Sequence, residues 1–488
     1  MLFNSLEFAF FFPIVTALFF LLPHRYRWLL LLLASCFFYM FFKPVYILIL
    51  VFTIVIDYFA GLWIGKEQDK NKRKTYLVLS ILANVGVLVV FKYYNFLAEN
   101  INLAVTAFHN HSQIPLLSIL LPIGLSFHTF QAMSYTIEVY RGKQQPERHF
   151  GIYALYVMFY PQLVAGPIER PQNIMHQFHE QKYFSYQNAR SGLLLMAWGL
   201  FKKVVIADRL GLFVNQVYGN VDDYTGIPLI LATIAFAFQI FCDFSGYSDI
   251  AIGSARVMGF HLMSNFDRPY MSSQLNEFWS RWHISLSTWF RDYVYIPLGG
   301  NRVSRIKRYR NLFIVFLLSG VWHGANWTFV LWGVLHGVYL IFEQEAYSQF
   351  PNWKTSSGTR ILLLRRFFLF AFVCFAWIFF RAPSMHDATY VVSNLFRNIP
   401  DQINSILTNE HLRRLHLLYL SQPFSEFIIA IGAVLLLISI HYAQKNQAFD
   451  EWVLSKKPFF RWSFYYLLVG SFVLFGVFNR SGFIYFQF

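Results

Sequence analysis

Apolar runs long enough to cross a bilayer recur from one end of this chain to the other. No other feature restricts the fold so strongly. About 20 predominantly apolar residues span the ~30 Å hydrocarbon core as a helix. Such runs lie near residues 6–22, 27–43, 46–65, 75–93, 116–139, 190–211, 228–250, 311–327, 328–346, 365–383, 424–442 and 463–480. In lipid the chain must satisfy its own backbone polar groups, so runs of this kind specify helices. The expectation is an all-α polytopic membrane protein with about twelve transmembrane helices, forming a single integral-membrane domain over residues 1–488. Composition agrees: 13% of residues are charged, where a soluble chain would have about a quarter. The N-terminus, Met1-Leu2-Phe3-Asn4-Ser5-Leu6-Glu7, lacks the positive n-region of a cleaved leader, so 6–22 reads as a retained span. The short run 151–166, interrupted by Pro161 and Gly166-Pro167, fits a re-entrant or interfacial element.

The formal charge of +15 sits in short loops between spans. That is the positive-inside pattern rather than a nucleic-acid footprint, and no nucleic-acid partner is expected. The basic segments Lys66 to Lys74 and Arg302 to Arg310, the cluster Arg360, Arg365 and Arg366, and the stretch Lys445 to Lys457 are expected on the cytoplasmic side. Loops 96–114, 212–227 and 384–422 then lie on the far side, with both termini extracytoplasmic. Cys36, Cys242 and Cys374 stand in apolar surroundings with neither metal-ligand spacing nor a disulfide framework. No inverted repeat of the transporter kind is evident.

The connection 260–310 differs from the other loops. In it Trp279, Trp282, Leu286, Trp289 and Phe290 recur at three- and four-residue intervals, with Arg281, Ser285, Thr288 and Asp292 largely opposite. The pattern predicts an amphipathic helix that lies in the interface or wedges between spans on the cytoplasmic side, next to the basic loop.

Polar residues that a membrane helix would exclude cluster between 240 and 336. His323 lies in Val321-Trp322-His323-Gly324-Ala325-Asn326-Trp327, inside an apolar aromatic stretch. An ionisable group there is costly and marks a functional site by default, and imidazole suits a general base. The competing structural reading is a core histidine bonded to a backbone carbonyl. His283 and the Asn326 amide are the polar groups nearest in the sequence pattern. Asp243 and Asp249 interrupt another apolar run, and Asp249 with Arg256, seven residues on, forms a plausible structural pair. His323 and His336 are thirteen residues apart, which on one helix puts them on nearly opposite faces. With no His-x-x-x-His pair, no metal is expected. Neither a Gly-x-Ser-x-Gly elbow nor a Walker motif occurs, which counts against serine hydrolysis and ATP-driven pumping. What remains is a buried imidazole that takes the proton of an acceptor hydroxyl as it attacks an activated acyl group. Arg302, Arg305 and Lys307 could hold an anionic donor such as a nucleotide-bearing thioester, although topology alone also explains that loop. A secondary transporter or flippase would instead use Asp243, Asp249 and the histidines as a proton relay.

The runs Arg281-Trp282-His283-Ile284-Ser285-Leu286-Ser287, Phe290-Arg291-Asp292-Tyr293 and Val321-Trp322-His323-Gly324 resemble those of membrane-bound O-acyltransferases. Supporting stretches are Leu121-Pro122-Ile123-Gly124-Leu125-Ser126-Phe127, Val164-Ala165-Gly166-Pro167-Ile168-Glu169-Arg170, Asn265-Phe266-Asp267-Arg268-Pro269-Tyr270 and the ending Phe483-Ile484-Tyr485-Phe486-Gln487-Phe488. The likeness is nearest to the bacterial branch containing the alginate O-acetylation membrane subunit, and it covers most of 1–345 and the C-terminus. It implies a many-helix fold with funnels from both faces meeting at the histidine. His323 matches the family's catalytic histidine, and His283 its supporting position, usually His or Asn. Trp322, Asn326, Arg291 and Asp292 become the substrate-binding candidates, with Arg302, Arg305 and Lys307 for the donor. His336 is left a structural or channel-lining role, and His128 reads as core. In this branch acetyl, from acetyl-CoA with no further cofactor, passes to an exported polysaccharide or peptidoglycan. An extracytoplasmic O-acetyltransferase protein often completes the transfer. The resemblance implies a multi-pass protein of the bacterial cytoplasmic (inner) membrane, in contact with membrane lipid. A D-alanyl branch, fed by a carrier-protein thioester, is the near alternative.

Overall fold

A computed structural model of the protein describes residues 1–108, 113–118, 122–164, 166–351, 358–408, 415–445, 447–478 and 482–484. Leu121, Ala165, residues 409–414 of the expected far-side loop, 479–480 of the last expected span and 485–488 of the C-terminal motif lie outside these. The chain divides into two units, one of residues 1–196 with 250–263, the other of 197–249 with 264–488.

The first unit carries α1 (Leu6–Leu21), α2 (His24–Met40), α3 (Ile47–Lys66), α4 (Lys70–Leu88), α5 (Tyr94–Ala107), α6 (Leu125–Tyr140), α7 (Phe150–Met158), α8 (Tyr160–Leu163) and α9 (Pro171–His179). α4 continues into α5 through a π turn at Val89–Tyr93, so most of the expected 96–114 loop is helix. A buried carboxylate, Asp57 on α3, accepts from Ser80 Oγ at 2.6 Å and from Asn84 Nδ2 at 2.8 Å, and so ties α3 to α4. The run 151–164 is buried and broken between α7 and α8, which fits an element enclosed by protein rather than a full crossing. α10 (Tyr186–Leu200) leads out of this unit.

In the second unit a π-helical stretch, Phe201–Ala207, joins α10 to α11 (Asp208–Tyr218). α12 (Ile227–Val257) belongs to this unit as far as Asp249. Two short helices follow, α13 (Leu275–Arg281) and α14 (Ile284–Phe290), and then α15 (Arg305–His323), α16 (Trp327–Gln349) and α17 (Thr359–Arg381). The expected 384–422 loop contains α18 (Met385–Asn394) and α19 (Ile399–Leu407) among its described residues, before α20 (Phe424–Gln444), α21 (Phe449–Leu454) and α22 (Pro458–Phe475).

Each expected span overlaps helix, although 116–118, 122–124, 324–326 and 476–478 within those spans are not helical. By length and composition, six helical stretches among the described residues can cross a membrane: Pro44–Lys66, Lys70–Ala107, Ile227–Val257, Thr359–Arg381, Phe424–Gln444 and Pro458–Phe475. The others are shorter or diluted by charge; α15, for example, opens on Arg305, Lys307, Arg308 and Arg310. The protein is thus an all-helical membrane protein.

The expected amphipathic helix over 279–290 does not form as one piece. The chain turns between α13 and α14, where His283 takes a left-handed backbone conformation with φ 44° and ψ 56°. Trp282, Leu286, Trp289 and Phe290 are buried in protein, as the wedged of the two expected placements requires.

α15 and α16 form a hairpin whose two backbones touch. A Cβ on Gly320 would lie 3.1 Å from Gly333 Cα and on the carbonyl oxygen of Phe329; one on Gly333 would strike the carbonyl of Phe316. Small residues at such a crossing allow the close approach that membrane helices use for packing. Gly324 and Asn326 end the hairpin's turn, and Asn326 Oδ1 caps α16 by accepting from Thr328 N at 3.0 Å. Gly333→Leu is expected to splay this hairpin and lower stability by about 1–3 kcal/mol, since no rotamer relieves a backbone clash. A thermal unfolding series in detergent, with Gly432→Leu (open space on α20) as the neutral comparison, checks this.

Candidate active site

His323 is the last residue of α15. Its ring, 5% exposed, is walled by Trp322 at 4.9 Å, Trp332 at 5.0 Å and Phe380 at 5.2 Å between centroids. His283 is fully buried, and its ring also contacts Trp322 at 6.2 Å and Phe244 of α12 at 4.6 Å. His336 is also fully buried, 4.7 Å from Trp332. Ring contacts thus link His283, Trp322, His323, Trp332 and His336 in succession. Trp377 closes the rear, 5.2 Å from Trp282 and 6.0 Å from Trp332.

The opposite-face argument for His336 assumed one continuous helix. The break at 324–326 places the two histidines on different helices, so the phase rule does not apply. His336 Nδ1 accepts from Trp279 Nε1 at 3.4 Å, and its ring packs on Phe316 and Phe372. Tryptophan can only donate, so this contact fixes Nδ1 as the acceptor. A packing role follows for His336.

His283 is held by its backbone. Ile284 N donates to Asn265 O at 2.9 Å, Ser285 Oγ donates to Asn265 Oδ1 at 2.9 Å, and Asn265 Nδ2 donates to Ser248 Oγ on α12 at 3.2 Å. Asn265 thus supplies the cap for α14 that His283 does not. Burial pushes the His283 imidazole down to about 3. With its folded pKa depressed, the ring is neutral from about pH 5 upward and adds no titration step there. The left-handed backbone explains why His or Asn suits this position, since both tolerate positive φ. His283→Asn is expected to keep the fold and the pH dependence of activity between pH 5 and 8. His283→Ala should cost about 1–2 kcal/mol of strain and more activity; pH–rate profiles of the two variants check this.

The remaining candidates separate. Trp322 belongs to the site. Asn326 is occupied by its cap and by Nδ2 donating to Pro383 O at 3.1 Å. Arg291 and Asp292 pair with each other at 2.8 Å, and the Arg291 side chain is 60% exposed. Arg305 Nε donates to Glu345 Oε1 at 2.7 Å, a partner the sequence pattern did not announce. Arg302 and Lys307 are exposed and form no ion pair among the described residues. No cluster of three or more His, Cys, Asp or Glu side chains there is placed to hold a metal ion.

A buried ion network next to the site was missed. Lys203 lies 2.7 Å from Asp243 and 2.8 Å from Asp208, and Lys202 lies 2.8 Å from Asp249. Lys202 is one partner of Asp249 that the sequence pattern did not announce. Asp243 Oδ2 also accepts from Ile484 N at 2.7 Å. Beside it, Phe483 packs 5.5 Å from Phe244, whose ring backs His283. The available signal was Lys202-Lys203 inside the apolar run 190–211, opposite two intramembrane aspartates.

An imidazole enclosed by aromatic rings, with a second imidazole against one of them, is a group that can exchange a proton away from bulk water. The membrane-bound O-acyltransferase family model matches residues 148–382, a region containing all three histidines. A probable alginate O-acetylase of Pseudomonas aeruginosa is 39% identical over 399 residues, covering 81% of this chain and 75% of the relative. The chain belongs to the membrane-bound O-acyltransferase family. As a member of this family it is an acyltransferase. Similarity extends to a peptidoglycan O-acetyltransferase of Helicobacter pylori, 36% identical over 439 residues, 85% of this chain and 79% of that protein. A teichoic acid D-alanyltransferase of Bacillus subtilis is 28% identical over 295 residues, 54% of this chain and 69% of the relative. Within this acyltransferase the ion network and the histidine row both fall inside the matched region, whereas Phe483 and Ile484 lie beyond it.

Proposed function

We propose that this protein moves acetyl from cytoplasmic acetyl-CoA, across the bacterial inner membrane, to a hydroxyl of an exported polysaccharide or peptidoglycan. An extracytoplasmic O-acetyltransferase protein would complete delivery. The observation that carries this reading is the burial of His323 among aromatic rings, with His283 in contact with the same Trp322. His323 takes the acceptor hydroxyl's proton as that oxygen attacks the thioester carbonyl. The new C–O bond forms, the C–S bond breaks, and the departing CoA thiolate takes the proton from the imidazolium. The aromatic walls limit water, which would otherwise compete as acceptor. His283 supports the arrangement as a positioning residue, and exposed Arg302 and Lys307 suit the phosphates of CoA.

Acetyl is favoured over D-alanyl because the acetylating relatives match with higher identity and over more of the chain. Purified protein in nanodiscs, supplied in parallel with acetyl-CoA and with a D-alanyl carrier-protein thioester, separates these readings. Release of free CoA thiol on adding an acceptor saccharide is expected. Turnover of the carrier thioester alone would reverse the donor assignment.

A further inference from the structure

Two adjoining cavities run along one side of α20 (Phe424–Gln444). The first, about 210 Å³, is apolar throughout, with Leu210, Phe213, Ile234, Ala430 and Val434 in its wall. The second, about 250 Å³, lies toward the end of α20 between Phe241, Tyr270, Arg366, Leu437 and His441. Phe238 of α12 lines both and joins them into one groove. Its rim, on two candidate membrane spans, exposes Leu363 and Phe367 of α17 and Leu435 and Tyr442 of α20.

The groove has a polar end and an apolar body. Arg366 Nε is buried with no hydrogen-bond partner among the described residues, and no carboxylate lines either cavity. Ser272, whose buried Oγ also lacks a partner there, lines with Arg366 a small further cavity. A buried guanidinium N–H with no partner among the described residues calls for an anion, and the guanidinium fork matches phosphate. From Ala430 to His441 the helix rises about 16 Å, close to half the ~30 Å hydrocarbon thickness. That is the depth of one leaflet. Arg366 belongs to the basic cluster expected on the cytoplasmic side, where anionic lipids concentrate.

The groove is separate from the histidines. Tyr270 at its wall donates to Ala237 O at 2.6 Å and accepts from Trp377 Nε1 at 3.3 Å. Trp282 and Trp377 lie behind it, between the groove and the site's rings.

We propose that this groove binds one anionic phospholipid of the cytoplasmic leaflet, its phosphate on Arg366 and an acyl chain along α20. Native mass spectrometry of the full-length protein, stripped of lipid and titrated with phosphatidylglycerol or phosphatidylcholine, tests it. The wild type should bind one phosphatidylglycerol with a preference of roughly fivefold, unaffected by excess inorganic phosphate. Arg366→Gln should remove the preference, and Val434→Trp, filling the apolar arm, should lower binding of both lipids with Arg366 intact. Equal preference in wild type and Arg366→Gln, displacement by inorganic phosphate, or absence of a bound lipid would overturn the proposal. If Arg366→Gln is not monodisperse after purification, the wild-type preference and the Val434→Trp result decide alone.

Discussion

His323→Ala is expected to lower acyl transfer by roughly 10²–10⁴-fold, the contribution typical of a positioned general base. The loss should fall on turnover rather than on donor binding, because the imidazole acts on the acceptor proton in the transition state. Little stability should go with it. The ring is held by contacts with Trp322, Trp332 and Phe380 rather than by helix geometry, since it occupies the final position of α15. Removing the ring leaves a cavity among those aromatics, so a modest drop in unfolding midpoint is expected. His323→Gln fills more of the space and should restore the midpoint without restoring activity. Recovery of activity in His323→Gln would mean that the position needs a hydrogen-bonding shape and not a base.

Lys203→Met is expected to be the most damaging substitution away from the histidines. It leaves Asp208 and Asp243 without their shared cation, and both carboxylates are only 4% exposed. Breaking a buried pair by removing one partner costs about 3–5 kcal/mol. The damage should reach the site, because Asp243 holds Ile484 N and the adjacent Phe483 packs on Phe244 behind His283. Neutralising the acids as well, in Lys203→Met with Asp208→Asn and Asp243→Asn, should recover much of the stability. Thermal unfolding in nanodiscs checks the pair of variants. An unchanged midpoint in Lys203→Met would show that the network carries no net stabilisation.

The placement of helices was legible because spans in lipid are written as long apolar runs, and each of the expected runs overlaps helix. What lay hidden was how those helices break and pair. The stripe Trp279 to Phe290 fits one helix by spacing alone; nothing in a hydropathy pattern announces that His283 turns into the left-handed region. Lys202 and Lys203 pass unnoticed in an apolar run because Asp249 and Asp243, which pair with them, lie far along the chain on α12. The hairpin crossing had a readable signature: Gly320-Val321-Trp322-His323-Gly324 and Gly333-Val334-Leu335-His336-Gly337 repeat one pattern. Each places a histidine three residues after the crossing glycine, and the contacts at Gly320 and Gly333 show why both glycines are required. Arg305 illustrates the opposite limit. Its charge suits a donor phosphate, but Glu345 on α16 already occupies it, and no local pattern links those two positions.

The most direct test of His323 as the base uses radiolabelled acetyl-CoA with purified wild-type protein and His323→Ala, each in nanodiscs with a hydroxyl acceptor. The account predicts label on the acceptor and free CoA with the wild type, and loss of both in the variant while acetyl-CoA binding persists. Equal labelling by the two proteins would contradict it.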